Sequence, residues 1–385
     1  MKALVLNAEW RPKPGYQVSE WEKTTGKAIN GNSIWYNPHL EVKEVPDPKI
    51  TKPDEVLIEV KACGICGSDI HFYETDDQGY MLYPGLTKFP AIIGHEFSGK
   101  VVEAGPEVEG VKVGDMVTVE EMLWCGHCTA CRNGFPNHCT NLEEIGFTVD
   151  GAMAKYIVVG FKYVWKIDAI AERFCDEEKA YEVGALTEPT SVAYNGIFER
   201  GGGFRPGAYV SVFGTGPIGL AAVGLAKAAG AGMIVAFEVS EKRRELAKKV
   251  GADYVFDPLE VRPSEVMMEL SKGEGFDFHV EAAGAPDKTV PEMEKALAIN
   301  AHIVQIGRAA KRVPMFLETL QVRRSQVFGA QGHSGHGTFP NVIRTVAAGR
   351  LDLSPIITAR YKLDDAVDAI ERATKREDGK IMIKP

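Results

Sequence analysis

Four cysteines, Cys125, Cys128, Cys131 and Cys139, fall within fifteen positions of a 385-residue chain that has only seven in all. Their spacing is C-x2-C-x2-C-x7-C. Three thiolates at two-residue gaps can wrap one ion, and a fourth from a short excursion completes a tetrahedron. Four sulfur ligands leave no open coordination position, so a zinc held this way is structural and cannot bind substrate. An iron–sulfur cluster is the alternative occupant, although nothing else in the chain implies electron transfer. His127 and His138 lie inside the loop and read as filler rather than as ligands.

A different donor set lies upstream. "KACGICGSDIHFYE" contains Cys66, and "AIIGHEFSG" contains His95 and Glu96. Cysteine, histidine and carboxylate all ligate zinc, and such a mixed set with a vacancy is a catalytic arrangement. Each residue alone is unremarkable, since a buried cysteine or a surface His-Glu pair is common. Their coexistence with the cysteine loop and with a nucleotide fingerprint makes the combination specific.

That fingerprint is "GTGPIG". It follows the apolar stretch "YVSVF" and opens a helical stretch, with Gly214, Gly216 and Gly219 at G-x-G-x-x-G spacing and Pro217 and Ile218 between the last two. The first glycine permits the tight turn, the second lets the backbone approach a pyrophosphate, and the third allows close helix packing. The helix N-terminus then offers free N–H groups to the phosphates. Glu238 follows nineteen residues after Gly219, where a carboxylate meets the adenosine ribose and repels a 2'-phosphate. NAD is therefore expected over NADP. Lys242, Arg243 and Arg244 lie just beyond and could soften that preference, Arg243 being the one expected at the cofactor.

The elements that must position these residues change in kind along the chain. Up to about residue 189, short alternating runs such as "EVLIEVKACG", "FSGKVVEAG" and "DMVTVE" are separated by Gly, Pro and Asp, which suits a small β-barrel. Residues 10 to 38 are polar and turn-rich and read as an inserted loop or lid. From 190 to 332, buried strands at 208–213, 233–239, 254–257, 276–284, 302–307 and 326–332 alternate with helical stretches that include "TVPEMEKALAIN". That grammar implies βαβ units and a parallel, doubly wound sheet. Residues 333 to 385 are expected to complete the first domain, ending in the strand "KIMIKP".

Composition excludes several function classes. An apolar fraction of 45%, a charged fraction of 25% and a net charge of -9 with scattered Lys and Arg argue against a nucleic-acid partner. The N-terminal apolar run is only four residues long, and the longest apolar stretch is broken by Pro217, Lys227 and glycines, so no secretory signal or membrane span is expected. The reading is cytoplasmic, where clustered cysteines bind metal rather than pair.

The motifs "GICGSDIH", "GHEFSG", the cysteine loop, "GTGPIG" and "VEAAG", in that order, resemble the zinc-dependent medium-chain dehydrogenases over nearly the whole chain. The resemblance implies a GroES-like barrel as catalytic domain, a Rossmann domain inserted into it, NAD, and two zinc ions per chain, one catalytic and one structural. It implies Cys66 and His95 as catalytic zinc ligands, with Glu96 able to approach the metal and Glu188, in "LTEPTSVAYN", presented to zinc or its water as in polyol-type members. Ser68 and His71 resemble the groups that pass the substrate proton to solvent, and Asp69 resembles the partner of the ligand histidine. It further implies a homodimer or homotetramer.

Oxidising a secondary alcohol requires loss of its proton before hydride leaves, and a Lewis-acidic zinc makes that loss feasible near neutral pH. "EEMLWCGHC", "GFPNHC", "LTEPTSVAYN" and "QGHSGHGTFP" resemble one branch that oxidises cyclitols, so a polyol or cyclitol is the expected substrate. Sorbitol-, L-threonine- and butanediol-type members share the skeleton, and a catalytically silent NAD- and zinc-binding protein is the alternative of another class. His333 and His336 either reach substrate hydroxyls or shape a subunit interface. Glu121 and Trp124 are weaker cases of the same kind, and Cys63 and Cys175 are expected to be packing residues.

Overall fold

A computed structural model describes residues 1–308 and 312–385. The chain divides into two compact units, one formed by Met1–Glu188, Ala359–Lys375 and Lys380–Pro385, the other by Pro189–Thr358 and Arg376–Gly379.

The first unit is built on a seven-stranded sheet. Along one path it runs Val164–Lys166, Met116–Val119, Glu96–Ala104, Glu55–Gly64, Lys380–Lys384 and Ile357–Lys362, with Tyr156–Gly160 also pairing with Glu55–Gly64. The central strand alternates as period-two patterning requires: Val56, Ile58, Val60 and Ala62 are buried. Its antiparallel register sets Gly64 opposite both Glu96 and Met382. The "GICGSD" turn, the "GHE" turn and the last strand therefore meet at one end of the sheet. The strand "KIMIKP" belongs to this unit.

Residues 10–38 are a folded excursion rather than a loose lid. They connect the antiparallel strands Lys2–Trp10 and Trp35–Glu44 and contain the short helix Glu20–Thr25. Glu22 is 1% exposed and explains the order: its carboxylate accepts from the backbone N–H groups of Ser19 (2.8 Å) and Ile29 (3.0 Å) and from Tyr16 Oη (2.9 Å). Backbone bridges from Ala28 to Thr87 and from Tyr36 to Tyr80 fasten the excursion to the 75–90 segment. Trp35 and Phe72 both meet Phe89 edge-on, which continues the aromatic core beneath it.

The second unit contains a six-stranded, fully parallel sheet in the order Tyr254–Phe256, Met233–Phe237, Tyr209–Phe213, Phe276–Glu281, Leu297–Gln305, Gln326–Gly329. The strand order reverses beside Tyr209–Phe213, the switch point at which open α/β sheets bind ligands. Two expectations need correction. The stretch 289–300 is not one helix: the helix is Pro286–Glu294, and Leu297 already pairs with Phe276, because Phe276, Leu297 and Ala298 are claimed by the sheet core. Residues 333–358 remain with the second unit instead of completing the first. Helix Thr338–Ala347 buries Phe339, Val342, Ile343 and Val346, and Leu351 and Leu353 occupy the space left open by Gly224 on helix Pro217–Ala228. Among the described residues no helix is long and apolar enough to cross a membrane.

Candidate active site

The four clustered cysteines converge, with sulfur atoms all within 4.8 Å of one another. Local backbone geometry brings them together. The N–H groups of Cys128 and Cys131 donate to the sulfurs of Cys125 (3.3 Å) and Cys128 (3.5 Å), and those of Cys125 and Asn141 donate to Cys139 Sγ (3.3 Å each). These donors favour thiolates. The N–H groups of Cys131 and Thr140 pull Cys128 down to about 5, and at Cys125 similar donors outweigh burial to give about 7. Cys131 moves the opposite way, to about 12, chiefly through burial, with Cys128 and Cys139 adding to it. Four sulfurs this close ionise together only around a cation, so the donor set fits a thiophilic metal. His127 is exposed and its Nδ1 lies 3.2 Å from the Cys125 carbonyl; His138 is also exposed, and neither joins the cluster.

The second donor set is assembled across the sheet. Ligand atoms of Cys66, His95 and Glu96 lie within 4.8 Å of one another. Cys66 is the N-cap of helix Gly67–Tyr73, and its N–H donates to Asp69 Oδ2 at 2.8 Å. That bond holds Asp69 under the site, with Oδ1 3.9 Å from His95 Nδ1, near it but too far to hydrogen-bond. His95 is 3% exposed and stacks obliquely on Phe147. Its Nδ1, Asp69 Oδ1 and Ser68 Oγ are buried without hydrogen-bond partners. Such orphaned polar atoms around a thiol, an imidazole and a carboxylate are the chemistry of a cation-binding donor set.

The electrostatics agree. Burial pushes Asp69 and Glu96 above the usual carboxylate range, and Glu188 adds to both shifts. Burial opposes a charge on His95, but Cys66, Asp69 and Glu188 outweigh it and raise the imidazole well above its ordinary value. Each buried acid seeks a positive partner, and Lys380 supplies one to Glu96 through a direct ion pair.

Glu188, 4% exposed, acts on this group through its charge but lies outside it; its carboxylate is within 4.8 Å of that of Glu121, 7% exposed. Sequence reasoning gave Glu121 little weight and missed Lys380. For Glu121 the signal was the doubled acid in "VEEML", placed where an inward-facing strand end meets the cysteine loop. His71 sits in the last turn of the Gly67–Tyr73 helix, and its carbonyl accepts from Leu82 (3.0 Å) and Tyr83 (3.1 Å). Cys63 is buried as expected, whereas Cys175 is exposed and ends helix Asp168–Phe174 in the left-handed conformation, so it is not a packing residue.

In the second unit the glycine fingerprint forms the turn between strand Tyr209–Phe213 and helix Pro217–Ala228. Gly214 has φ of 83°, and a Cβ there would lie 2.6 Å from Ala283 Cα; at Gly219 it would lie 1.9 Å from the Gly214 carbonyl oxygen. At Gly216 a Cβ would meet nothing closer than an Arg243 nitrogen at 3.8 Å, so that face is open to a ligand. Pro217 is the first helical residue, Ile218 follows it, and the helix start points free N–H groups at the turn. Glu238 closes the turn: Oε2 accepts from Thr215 N–H (2.7 Å) and Oε1 from Ser240 N–H (2.9 Å). Arg243 is anchored by Nε to the Asp378 carbonyl at 2.9 Å, with burial lowering its pKa. Arg244 instead pairs with Asp257 at 3.0 Å.

His333 and His336 follow strand Gln326–Gly329. His333 is fully buried with its ring 5.0 Å from that of Phe339, and its carbonyl accepts from Thr338 Oγ1. His336 Nδ1 lies 3.7 Å from Glu199 Oε2, with the residue in the left-handed region.

Family models match both units: the alcohol dehydrogenase GroES-like domain over residues 52–169 and the zinc-binding dehydrogenase domain over 217–348. The chain belongs to the zinc-binding dehydrogenases, oxidoreductases with a GroES-like and a Rossmann-type domain that use NAD and zinc. It is 46% identical over 382 residues to the scyllo-inosose 3-dehydrogenase of Thermotoga maritima, covering 97% of this chain and 96% of that one. It is 36% identical to the L-threonine 3-dehydrogenase of Pyrococcus abyssi, covering 90% and 95% respectively. A solved structure from Thermotoga maritima, 45% identical, superposes with a TM-score of 0.96 over all of both chains.

Proposed function

We propose that the protein oxidises a ring carbinol of scyllo-inosose or a closely related cyclitol with NAD, using the Cys66, His95 and Glu96 group as its catalytic zinc site. Likeness to the Thermotoga maritima scyllo-inosose 3-dehydrogenase supports the substrate. The observation that carries the polyol class is Glu188, a buried carboxylate whose charge acts on His95 and Glu96 and which lies within 4.8 Å of the buried carboxylate of Glu121. Two adjacent carboxylates can accept from hydroxyls on neighbouring ring carbons, which an ordinary alcohol with one hydroxyl does not offer.

Cys66, His95 and Glu96 would hold the zinc, with Glu188 acting on them through its charge; the metal would supply Lewis acidity that lowers the pKa of a substrate hydroxyl. Asp69 balances the charge on His95 and fixes Cys66 through its backbone N–H. Ser68 Oγ, unpartnered and buried, takes the hydroxyl proton and passes it toward His71 on the same helix. Gly214, Gly216, Pro217, Ile218 and Gly219 receive the pyrophosphate, Glu238 faces the ribose, and Arg243 adds a positive charge beside Gly216. Cys125, Cys128, Cys131 and Cys139 would hold the structural zinc. The assembly is a homodimer or homotetramer of a cytoplasmic enzyme; exposed Phe316, Leu317, Val322 and Val327 on and beside the edge strand Gln326–Gly329 support self-association through the second unit.

NADH formation with scyllo-inosose, myo-inositol, sorbitol, L-threonine and 2,3-butanediol, each with NAD and with NADP, tests the proposal. Chelator-sensitive turnover that is fastest on scyllo-inosose with NAD is expected. Fastest turnover on L-threonine would move the protein to the other group of relatives. No turnover from protein shown to hold zinc and NAD would favour a non-catalytic binding role.

A further inference from the structure

Two acids stand side by side in "VEEML", and their carboxylates serve different neighbours. Glu120 is 4% exposed, and its two oxygens accept from two indoles: Oε1 from Trp165 Nε1 at 2.8 Å and Oε2 from Trp124 Nε1 at 3.2 Å. Glu121 is the residue whose carboxylate lies within 4.8 Å of that of Glu188. The backbone they share is fastened on both sides. Glu120 N–H donates to the Tyr163 carbonyl at 2.9 Å, the Glu121 carbonyl accepts from Ile145 N–H at 3.0 Å, and Met122–Leu123 pairs with Glu143–Glu144. The Trp124 carbonyl, one residue before Cys125, accepts from Tyr163 Oη at 2.7 Å and from Lys162 Nζ at 3.0 Å.

Stability alone gives little reason for Glu120. Burying a carboxylate is costly unless it is paired and well hydrogen-bonded, and both of its partners here are neutral indoles. An indole N–H only donates. Two of them converging on one side chain need a group that only accepts, which an ionised carboxylate is and an amide is not. What the arrangement does achieve is geometric. Trp165 belongs to the barrel strand Val164–Lys166 and Trp124 to the entry of the cysteine loop, so the Glu120 carboxylate pins the strand end between them. Glu121 is the next residue along that pinned backbone.

We propose that Glu120 is a positioning residue that, gripped by the indoles of Trp124 and Trp165, holds the backbone from which Glu121 faces the substrate. The proposal rests on the reading of Glu121 and Glu188 as acceptors for neighbouring ring hydroxyls. Loss of either indole bond lets the strand end shift, and a displaced carboxylate no longer meets a ring hydroxyl at hydrogen-bonding distance and angle. The cofactor and the reacting hydroxyl do not depend on this grip. Affinity for the polyol therefore falls while the chemical step is spared.

The test compares Glu120→Gln, Trp165→Phe, Glu121→Gln and the Glu120→Gln/Glu121→Gln double variant in the full-length holoenzyme. Readouts are kcat and KM for scyllo-inosose, KM for NAD, and a thermal melt. Glu121→Gln is expected to raise the KM for scyllo-inosose by about tenfold or more, the scale of a lost hydrogen bond to a charged group. Glu120→Gln and Trp165→Phe are expected to raise it by about threefold to tenfold, with kcat and the KM for NAD within about twofold of wild type, the pattern of binding lost equally from ground and transition states. The double variant should match Glu121→Gln, because Glu120 acts through its neighbour. An unchanged KM in Glu120→Gln beside a raised KM in Glu121→Gln, effects that multiply in the double variant, or a lower melting temperature with every kinetic constant unchanged would overturn the proposal. Should Glu120→Gln fail to fold, Trp165→Phe, which keeps an aromatic ring and loses the N–H, decides by the same KM. A wild-type KM in Glu121→Gln, or no turnover of scyllo-inosose by the wild type, would instead remove the reading on which the proposal rests.

Discussion

In the cysteine loop every donor lies within fifteen residues, and neighbouring backbone N–H groups aim the sulfurs. Around Cys66 the donors come from two strand ends, Asp69 from the helix that Cys66 caps and Lys380 from the last strand stand beside them, and all but Cys66 are buried. The loop spends its four ligands on holding itself together. The assembled site relies on the barrel for its geometry. The nucleotide turn resembles the loop in this respect, since Gly214, Gly219 and Pro217 shape it locally while Glu238 arrives from the next strand.

The comparison can be broken most severely at the assembled site. Cys66→Ala or His95→Ala should lower kcat by about a thousandfold or more, the scale of losing several kcal/mol of Lewis-acid stabilisation, and should reduce zinc from two ions per chain to one with little change in melting temperature. Metal analysis, kinetics and a thermal melt check this together. Glu238→Ala should narrow the preference for NAD over NADP by roughly tenfold to a hundredfold, as expected for loss of a charged hydrogen bond and of repulsion to a phosphate, with steady-state rates on both cofactors as the measurement.

Cys128→Ser should show the opposite pattern to Cys66→Ala. Loss of the loop's metal removes folding free energy directly; on the order of 3 kcal/mol lowers the melting temperature by roughly 6 to 12 °C, while kcat of the remaining folded enzyme changes less than about twofold. A melt and an active-site titration distinguish these outcomes. The smallest effect is expected at the excursion, where Lys27 pairs with Glu143. Lys27→Met should cost about 1 kcal/mol or less in urea unfolding, since such partly exposed pairs contribute little.

What could be read in the sequence follows the same division. The convergence of the cysteine loop and the tight glycine turn were legible because both are set by short spacings. The strands were legible where patterning was strong, but "ALAIN" looked helical because the sheet's claim on Leu297 is a long-range fact. Residues 333–358 were assigned to the wrong unit for a similar reason, as the fit of Leu351 and Leu353 against Gly224 leaves no local mark. Lys380 looked like an ordinary polar residue of an alternating strand. Only the register that sets Gly64 between Glu96 and Met382 makes it a buried partner of the site. Residues 10–38 read as an inserted loop or lid because they are polar and turn-rich, yet Glu22 turns that polarity inward.

The most direct test of the division of labour is zinc content and NADH formation from scyllo-inosose, measured side by side on His95→Ala and Cys128→Ser. The account predicts one zinc and no detectable turnover in His95→Ala, and one zinc with near-normal kcat in a less stable Cys128→Ser. Turnover surviving in His95→Ala, or abolished in folded Cys128→Ser, would place the chemistry at the cysteine loop and contradict it.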